Sequence, residues 1–227
     1  MGIPQMSLTL RVLARLLTYP DAELRRHLPA MSEALARERA LGARRQAEIE
    51  HVIDTLERAS ALDAEAAYVD LFDRGRSTSL HLFEHVHGDS RDRGPAMVDL
   101  AQTYEKAGLY LAPGELPDYL PVVLEFASTQ PPREARAFLS EIAHILNAIF
   151  NALRERQSPY ASVLGALIEL AGERASAVKV AADEALDAAW EEPPAFGGCS
   201  TRGQARPDVP QPIEIVRRER TATGSAA

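Results

Sequence analysis

A chain of 227 residues, 46% hydrophobic and 26% charged, is long enough to enclose one sizeable core and too apolar for wholesale disorder. Its net charge of −8 repels phosphate backbones and anionic lipid headgroups, which argues against nucleic acid and direct membrane binding. No apolar run approaches the ~20 residues of a membrane span. The start lacks a basic segment followed by an apolar one and a cleavage site, so retention in the cytoplasm is expected. The single cysteine, Cys199, is too few for an internal disulfide or a thiolate-built metal site.

In chain order the pattern is helical throughout. Leu10, Leu13 and Leu17 share one face of a first helix over 7–18, which Tyr19-Pro20 stops because a residue before proline avoids helical angles. Leu24 and Leu28 mark a second helix from Asp21. Ile49, Val52, Ile53 and Leu56 mark a third that ends near Ser60. Asp63 is placed to cap the next, whose Val69, Leu71 and Phe72 run into a break at Asp73-Arg74-Gly75. Ser79 to Val86 reads as a short helix. Pro95 suits a first helical position, and Met97, Leu100, Ala101 and Tyr104 follow before Gly108, a natural left-handed cap.

Pro117 and Pro121 open a helix carrying Leu120, Val123, Leu124 and Ala127, which Gln130-Pro131-Pro132 ends. The strongest stripe is Phe138, Leu139, Ile142, Ile145, Leu146, Ile149 and Leu153. It predicts one helix of about five turns, central in the core. Ser158-Pro159 reads as a cap and a first-position proline for a helix with Val163, Leu164, Leu167 and Leu170. A last Ala-rich helix runs to Trp190. Beyond Glu191, prolines and glycines replace periodicity, so 1–190 is expected to be one helical domain and 191–227 a disordered tail.

His81, Glu84 and His85 formally match H-x-x-E-H, which on a helix puts two imidazoles and a general base on one face. Three fixed positions in five carry little specificity, and a hydrolase also needs a third ligand and a cleft. The favoured reading is histidines that pack and hydrogen-bond, without metal. Arg74, Arg91 and Arg93 alternate with Asp70 and Asp73 around this segment, either as a solvated face or as the polar rim of an apolar groove beside Phe72, Leu80 and Phe83. Phosphate-loop, nucleophile-elbow and dinucleotide patterns are all missing, and so is any signature of a bound cofactor.

The block Tyr68-Val69-Asp70-Leu71-Phe72-Asp73-Arg74-Gly75-Arg76-Ser77-Thr78-Ser79-Leu80-His81-Leu82-Phe83-Glu84-His85-Val86-His87-Gly88-Asp89-Ser90-Arg91-Asp92-Arg93-Gly94 closely resembles the signature of the NarJ family, the nitrate reductase delta-subunit assembly chaperones of the TorD/NarJ superfamily. Leu13 to Pro20 resembles that family's opening helix and Glu115 to Pro121 its second motif. There the wider superfamily often has histidine after the Pro-Asp pair and this chain has Tyr119. The resemblance implies an all-α single-domain helical bundle with no catalytic activity and no cofactor of its own. Its implied partner is the apo catalytic (alpha) subunit of nitrate reductase, chiefly the N-terminal segment. The implied task is to permit insertion of the molybdenum cofactor and an iron–sulfur cluster before membrane attachment. Client-contact candidates are Asp70, Phe72, Asp73, Arg74, Leu80, His81, Phe83, Glu84, His85, His87, Arg91, Arg93, Asp118 and Tyr119. A zinc hydrolase or a permanent adaptor in a membrane complex are the competing classes.

Because the stretch after Glu191 offers almost no periodic apolar surface, its deletion is expected to leave the melting temperature unchanged, as scanning calorimetry would show. A large drop would mean that the tail docks on the core.

Overall fold

Leu10, Leu13 and Leu16 do form the buried face of α1, Ser7–Leu16, in the computed structural model, which describes residues 3–88 and 90–177. The expected last helix to Trp190, the tail from Glu191 with the domain boundary there, and Cys199 lie outside the described residues. Helix α2, Ala22–Glu38, is capped by Asp21, whose carboxylate accepts the Leu24 N–H at 2.7 Å. Helix α3, Ala43–Arg58, buries Ile49, Val52, Ile53 and Leu56. The cap of α4, Ala61–Tyr68, is Ser60 rather than Asp63. The Ser60 hydroxyl accepts the Asp63 N–H at 3.1 Å and donates to the Asp63 carboxylate at 2.6 Å, so Asp63 holds the capping hydroxyl in place rather than capping the helix itself.

From α4 the chain continues into a π-helical turn, Val69–Asp73, and after Gly75 into a 3-10 turn, Arg76–Thr78. Gly75 is a close-approach glycine. A Cβ there would lie 2.5 Å from the Thr78 hydroxyl and 2.9 Å from the Arg156 guanidinium. The predicted helix over 79–86 forms only from Leu82 to Val86, as α5. Its first residues are extended instead, because His81 pairs antiparallel with Tyr119: the Leu120 N–H donates to the Leu80 carbonyl at 2.8 Å and the Leu82 N–H to the Asp118 carbonyl at 3.0 Å. That bridge is the single piece of sheet-like pairing among the described residues.

Helix α6, Arg93–Lys106, starts two residues before Pro95, which falls in the first turn, where a missing donor costs little. It ends at Gly108 with φ +80°. Of its apolar residues Tyr104 alone is buried, while Met97, Leu100 and Ala101 stay half-exposed. Helix α7, Leu120–Thr129, buries seven of its ten residues.

The long stripe from Phe138 is not one helix. It divides at Ile142 (φ −94°, ψ 2°) into α8, Pro132–Glu141, and α9, Ala143–Glu155. Nothing in the sequence marks the break, since no proline or glycine interrupts it; both halves pack against α10. That last helix, Ala161–Ala171, holds the central place expected of the stripe: it buries Val163, Leu164, Ala166, Leu167, Ile168 and Leu170 and packs against α3, α8 and α9. Ser158 and Pro159 form a turn before it and not its first residues, with the Ala161 N–H donating to the Ser158 carbonyl at 3.1 Å.

Two helix ends are satisfied across the fold. Glu38 of α2 accepts the Leu8 and Thr9 N–H groups at the start of α1, at 3.0 and 2.6 Å. Arg25 donates to the carbonyls of Leu56 and Ala59 at the end of α3, at 2.6 and 2.7 Å. No helix among the described residues is long and apolar enough to cross a membrane. Leu167, with 0% exposure at the centre of α10, should when truncated to alanine cost about 2–5 kcal/mol in urea denaturation; a loss under ~1 kcal/mol would contradict its central place.

Candidate functional site

Asp118 lies fully buried in the turn that leads into α7, and the His-rich segment is assembled around its carboxylate. Oδ2 accepts the Phe83 N–H at 3.1 Å and lies 3.9 Å from the Arg93 guanidinium; Oδ1 is 3.5 Å from His81 Nδ1. Helix α5 has no side-chain cap of its own. Asp118 supplies one from a distant part of the chain, with its carboxylate on Phe83 and its carbonyl on Leu82. A buried carboxylate is tolerable only with such donors around it. Arg93, at the start of α6, also reaches Glu84 at 3.5 Å, so α6 is tied to α5 and to the turn by one guanidinium.

The two histidines of H-x-x-E-H face different partners. His81 precedes α5 and turns to Asp118, whereas His85 Nε2 lies 2.9 Å from the Ser79 carbonyl. Among the described residues no three His, Cys, Asp or Glu side chains are grouped to hold a metal ion. The Asp118 hydrogen bond raises the His81 pKa above the ordinary imidazole value, against a smaller opposing effect of burial.

Tyr119 continues the network inward. Its ring lies 5.2 Å from that of His81, tilted by 31°. Its hydroxyl is 3.3 Å from that of Tyr68 and 3.5 Å from the Leu17 carbonyl, to which Tyr68 donates at 2.8 Å. Desolvation pushes the Tyr68 and Tyr119 phenols up, so both stay neutral hydrogen-bonding groups. Tyr104 performs a similar task from α6, donating to the Pro117 carbonyl at 2.8 Å. Tyr68 and Tyr104 were not among the expected site residues. The four-residue spacing of Tyr68 and Phe72 marks them as one inward face, but no local signal tells that their phenol neighbour would be Tyr119.

Of the predicted site residues, Asp70, Asp73, Arg74 and Arg91 are exposed, and His81, Phe83, Glu84, His85, His87, Arg93 and Tyr119 are half-buried. Phe72, Leu80 and Asp118 are inside. The groove expected beside Phe72, Leu80 and Phe83 is therefore filled by the protein itself. The π-turn directs Phe72 onto Tyr160 at 5.1 Å and Tyr68 at 4.9 Å. An open cleft lies on the opposite side of the same turn, lined by Tyr19 and α4 and bordered by Asp70 and Arg74.

Residues 20–166 match the family model described as nitrate reductase delta subunit. The chain belongs to that family. The delta-subunit match takes in the His-rich segment, the Asp118 turn and most of α10. The chain is 46% identical over 191 residues to NarJ of Escherichia coli strain K12, named nitrate reductase molybdenum cofactor assembly chaperone, with 80% of this chain and 81% of that protein covered. It is 42% identical over 193 residues to NarW of the same strain, covering 81% and 80%. A crystal structure of a protein assigned to redox enzyme maturation from Archaeoglobus fulgidus has the same fold, with a TM-score of 0.52 at 21% identity, covering 76% of this chain and 96% of that one.

In this delta-subunit member the His81–Asp118 pair makes a pH-dependent contribution with a definite sign. The folded imidazole holds its proton more tightly than the unfolded one. The stabilisation is therefore complete below the ordinary imidazole value of 6.5 and fades as pH rises through the raised folded value. Denaturation of wild type and His81→Gln is expected to show a gap that is widest at low pH and narrows toward alkaline pH; a gap that widens with pH would contradict the pairing. Asp118→Asn, which leaves His81 and Arg93 facing a neutral amide, should cost roughly 1–3 kcal/mol.

Proposed function

We propose that the chain is an assembly chaperone for a respiratory nitrate reductase and catalyses no reaction. It binds the apo catalytic (alpha) subunit, chiefly its N-terminal segment, in the cytoplasm. It holds that subunit open for insertion of the molybdenum cofactor and an iron–sulfur cluster before membrane attachment, and leaves before the enzyme is mature. The observation that carries this reading is the 46% identity, over four-fifths of both chains, to a protein named as such a chaperone. The site chemistry supports it: His81, Glu84 and Asp118 are engaged in holding α5, α6 and the turn into α7 together, which suits a rigid binding surface better than a proton-transfer or metal site.

Within that reading the exposed and half-buried members of the predicted set, Asp70, Asp73, Arg74, Glu84, His85, His87, Arg91, Arg93, His81, Phe83 and Tyr119, form the client-facing surface. Phe72, Leu80 and Asp118 shape it from within. Titration calorimetry of the purified chain with the apo catalytic subunit, and with a peptide of its N-terminal segment, tests the reading. Saturable binding of both is expected, weakening with added salt because the chaperone is acidic. Absence of heat and of co-elution with either partner would remove the proposal.

A further inference from the structure

Asn147 and Asn151 stand one turn apart in the middle of α9, among Ile145, Leu146, Ile149, Ala152 and Leu153. Asparagine is a poor helix former because its carboxamide competes for backbone partners, so two in one apolar stripe call for a reason. Both are more than nine-tenths buried, and a buried carboxamide needs partners. The two turn to the same residue, Ser176, in the chain that leaves α10. The Asn147 carboxamide accepts the Ser176 N–H at 2.9 Å and donates to the Ser176 carbonyl at 2.9 Å. One side chain thus reads both halves of a residue's backbone, as a neighbouring strand would. Asn151 donates to the same carbonyl at 2.9 Å and to the Asn147 carbonyl at 2.7 Å. The Ser176 hydroxyl adds a longer contact to Asn147, at 3.2 Å.

The path into this clamp is fixed as well. Gly172 ends α10 with φ +84°, and the Arg136 guanidinium of α8 occupies the place a Cβ would take there. Glu173 then accepts the Ser140 hydroxyl at 3.2 Å. Ser140 belongs to α8 and Asn147 to α9, so residues 173–176 cross the break at Ile142 as a splint. With no proline or glycine to set that bend, contacts that cross it hold the angle. Helix α9 in turn adjoins the signature block. It packs against the 3-10 turn Arg76–Thr78 and against α5. Arg156, at its C-terminal end, donates to the Asp70 carbonyl at 3.2 Å and lies against Gly75.

We propose that Asn147 and Asn151 form a binding site for extended polypeptide backbone, filled by the chain's own residues 173–176, and that this latch holds α9 against the signature block. Released, it leaves two carboxamides to water, the α8–α9 bend without its splint, and the turns over 70–78 resting on a looser helix. The occupant is recognised by its backbone, so the Ser176 N–H is required and its side chain is dispensable. Residues 178–227 continue directly from the latch, so binding or tension there reaches the clamp before it reaches the core. The inference does not depend on what the chaperone binds.

The test uses the full chain as wild type, Asn147→Leu, Ser176→Pro and Ser176→Ala, probed by native trypsin cleavage after Arg174 and by hydrogen exchange. Wild type and Ser176→Ala are expected to resist trypsin equally, because alanine keeps both backbone groups. Asn147→Leu and Ser176→Pro remove the carboxamide and the N–H, and should be cut after Arg174 at least about tenfold faster. In the same two variants the amides of 143–155 and 76–78 should exchange at least about tenfold faster, while α1 to α3 keep wild-type protection. Ser176 is exposed, so Ser176→Pro decides the matter if Asn147→Leu loosens the whole fold. Equal cleavage of all four proteins would show that no latch exists. Faster cleavage with wild-type exchange over 143–155 and 76–78 would mean that the strap holds nothing but itself, and would overturn the proposal. Ser176→Ala behaving like Ser176→Pro would assign the contact to the hydroxyl and overturn the backbone reading.

Discussion

A single buried carboxylate holds the distinctive part of this molecule together. Asp118 would be intolerable in an apolar interior without donors, and the donors it gathers come from three elements that otherwise touch little. The Phe83 N–H starts α5, the His81 imidazole ends the extended pair, and Arg93 starts α6. Because α6 buries only Tyr104, its position depends on these polar ties more than on packing. Such a network fixes shape at the cost of being sensitive to every member, since removing one donor leaves a charge without its partner.

The rest of the fold applies the same economy of polar groups to its helix ends. Glu38 closes the start of α1 and Arg25 the end of α3, each from another helix, so the N-terminal three helices are joined by hydrogen bonds as well as by leucines. Around the highly apolar α10 the core is continuous from Leu10 to Leu170. The phenols of Tyr68 and Tyr119 meet the Leu17 carbonyl at the point where α1 ends, which connects this core to the Asp118 turn.

That connection separates two surfaces at the signature block. On one side the His-rich segment is braced by Asp118; on the other α4 and Tyr19 line an open cleft bordered by the Asp70–Arg74 pair. The π-turn Val69–Asp73 lies between them. It lets Phe72 follow Tyr68 into the core while Asp70 and Arg74 remain at the cleft's edge.

Helix existence was legible in the sequence, because three- and four-residue apolar spacing together with Asp21, Gly108 and Pro132 records local backbone preference. The family was legible too, from the 68–94 block and the Glu115–Pro121 motif. The places where the sequence misleads are those where a distant group competes with local preference. Ser79–His81 looks helical and is extended because Tyr119 pairs with it; Phe138–Leu153 looks like one helix and divides at Ile142 into two helices that both pack on α10. Which apolar residues of the site face outward also lay beyond periodicity. Phe72 and Leu62 are equally apolar, and burial of one and exposure of the other follow from what α4 meets on each side, a long-range packing outcome that no window of sequence contains.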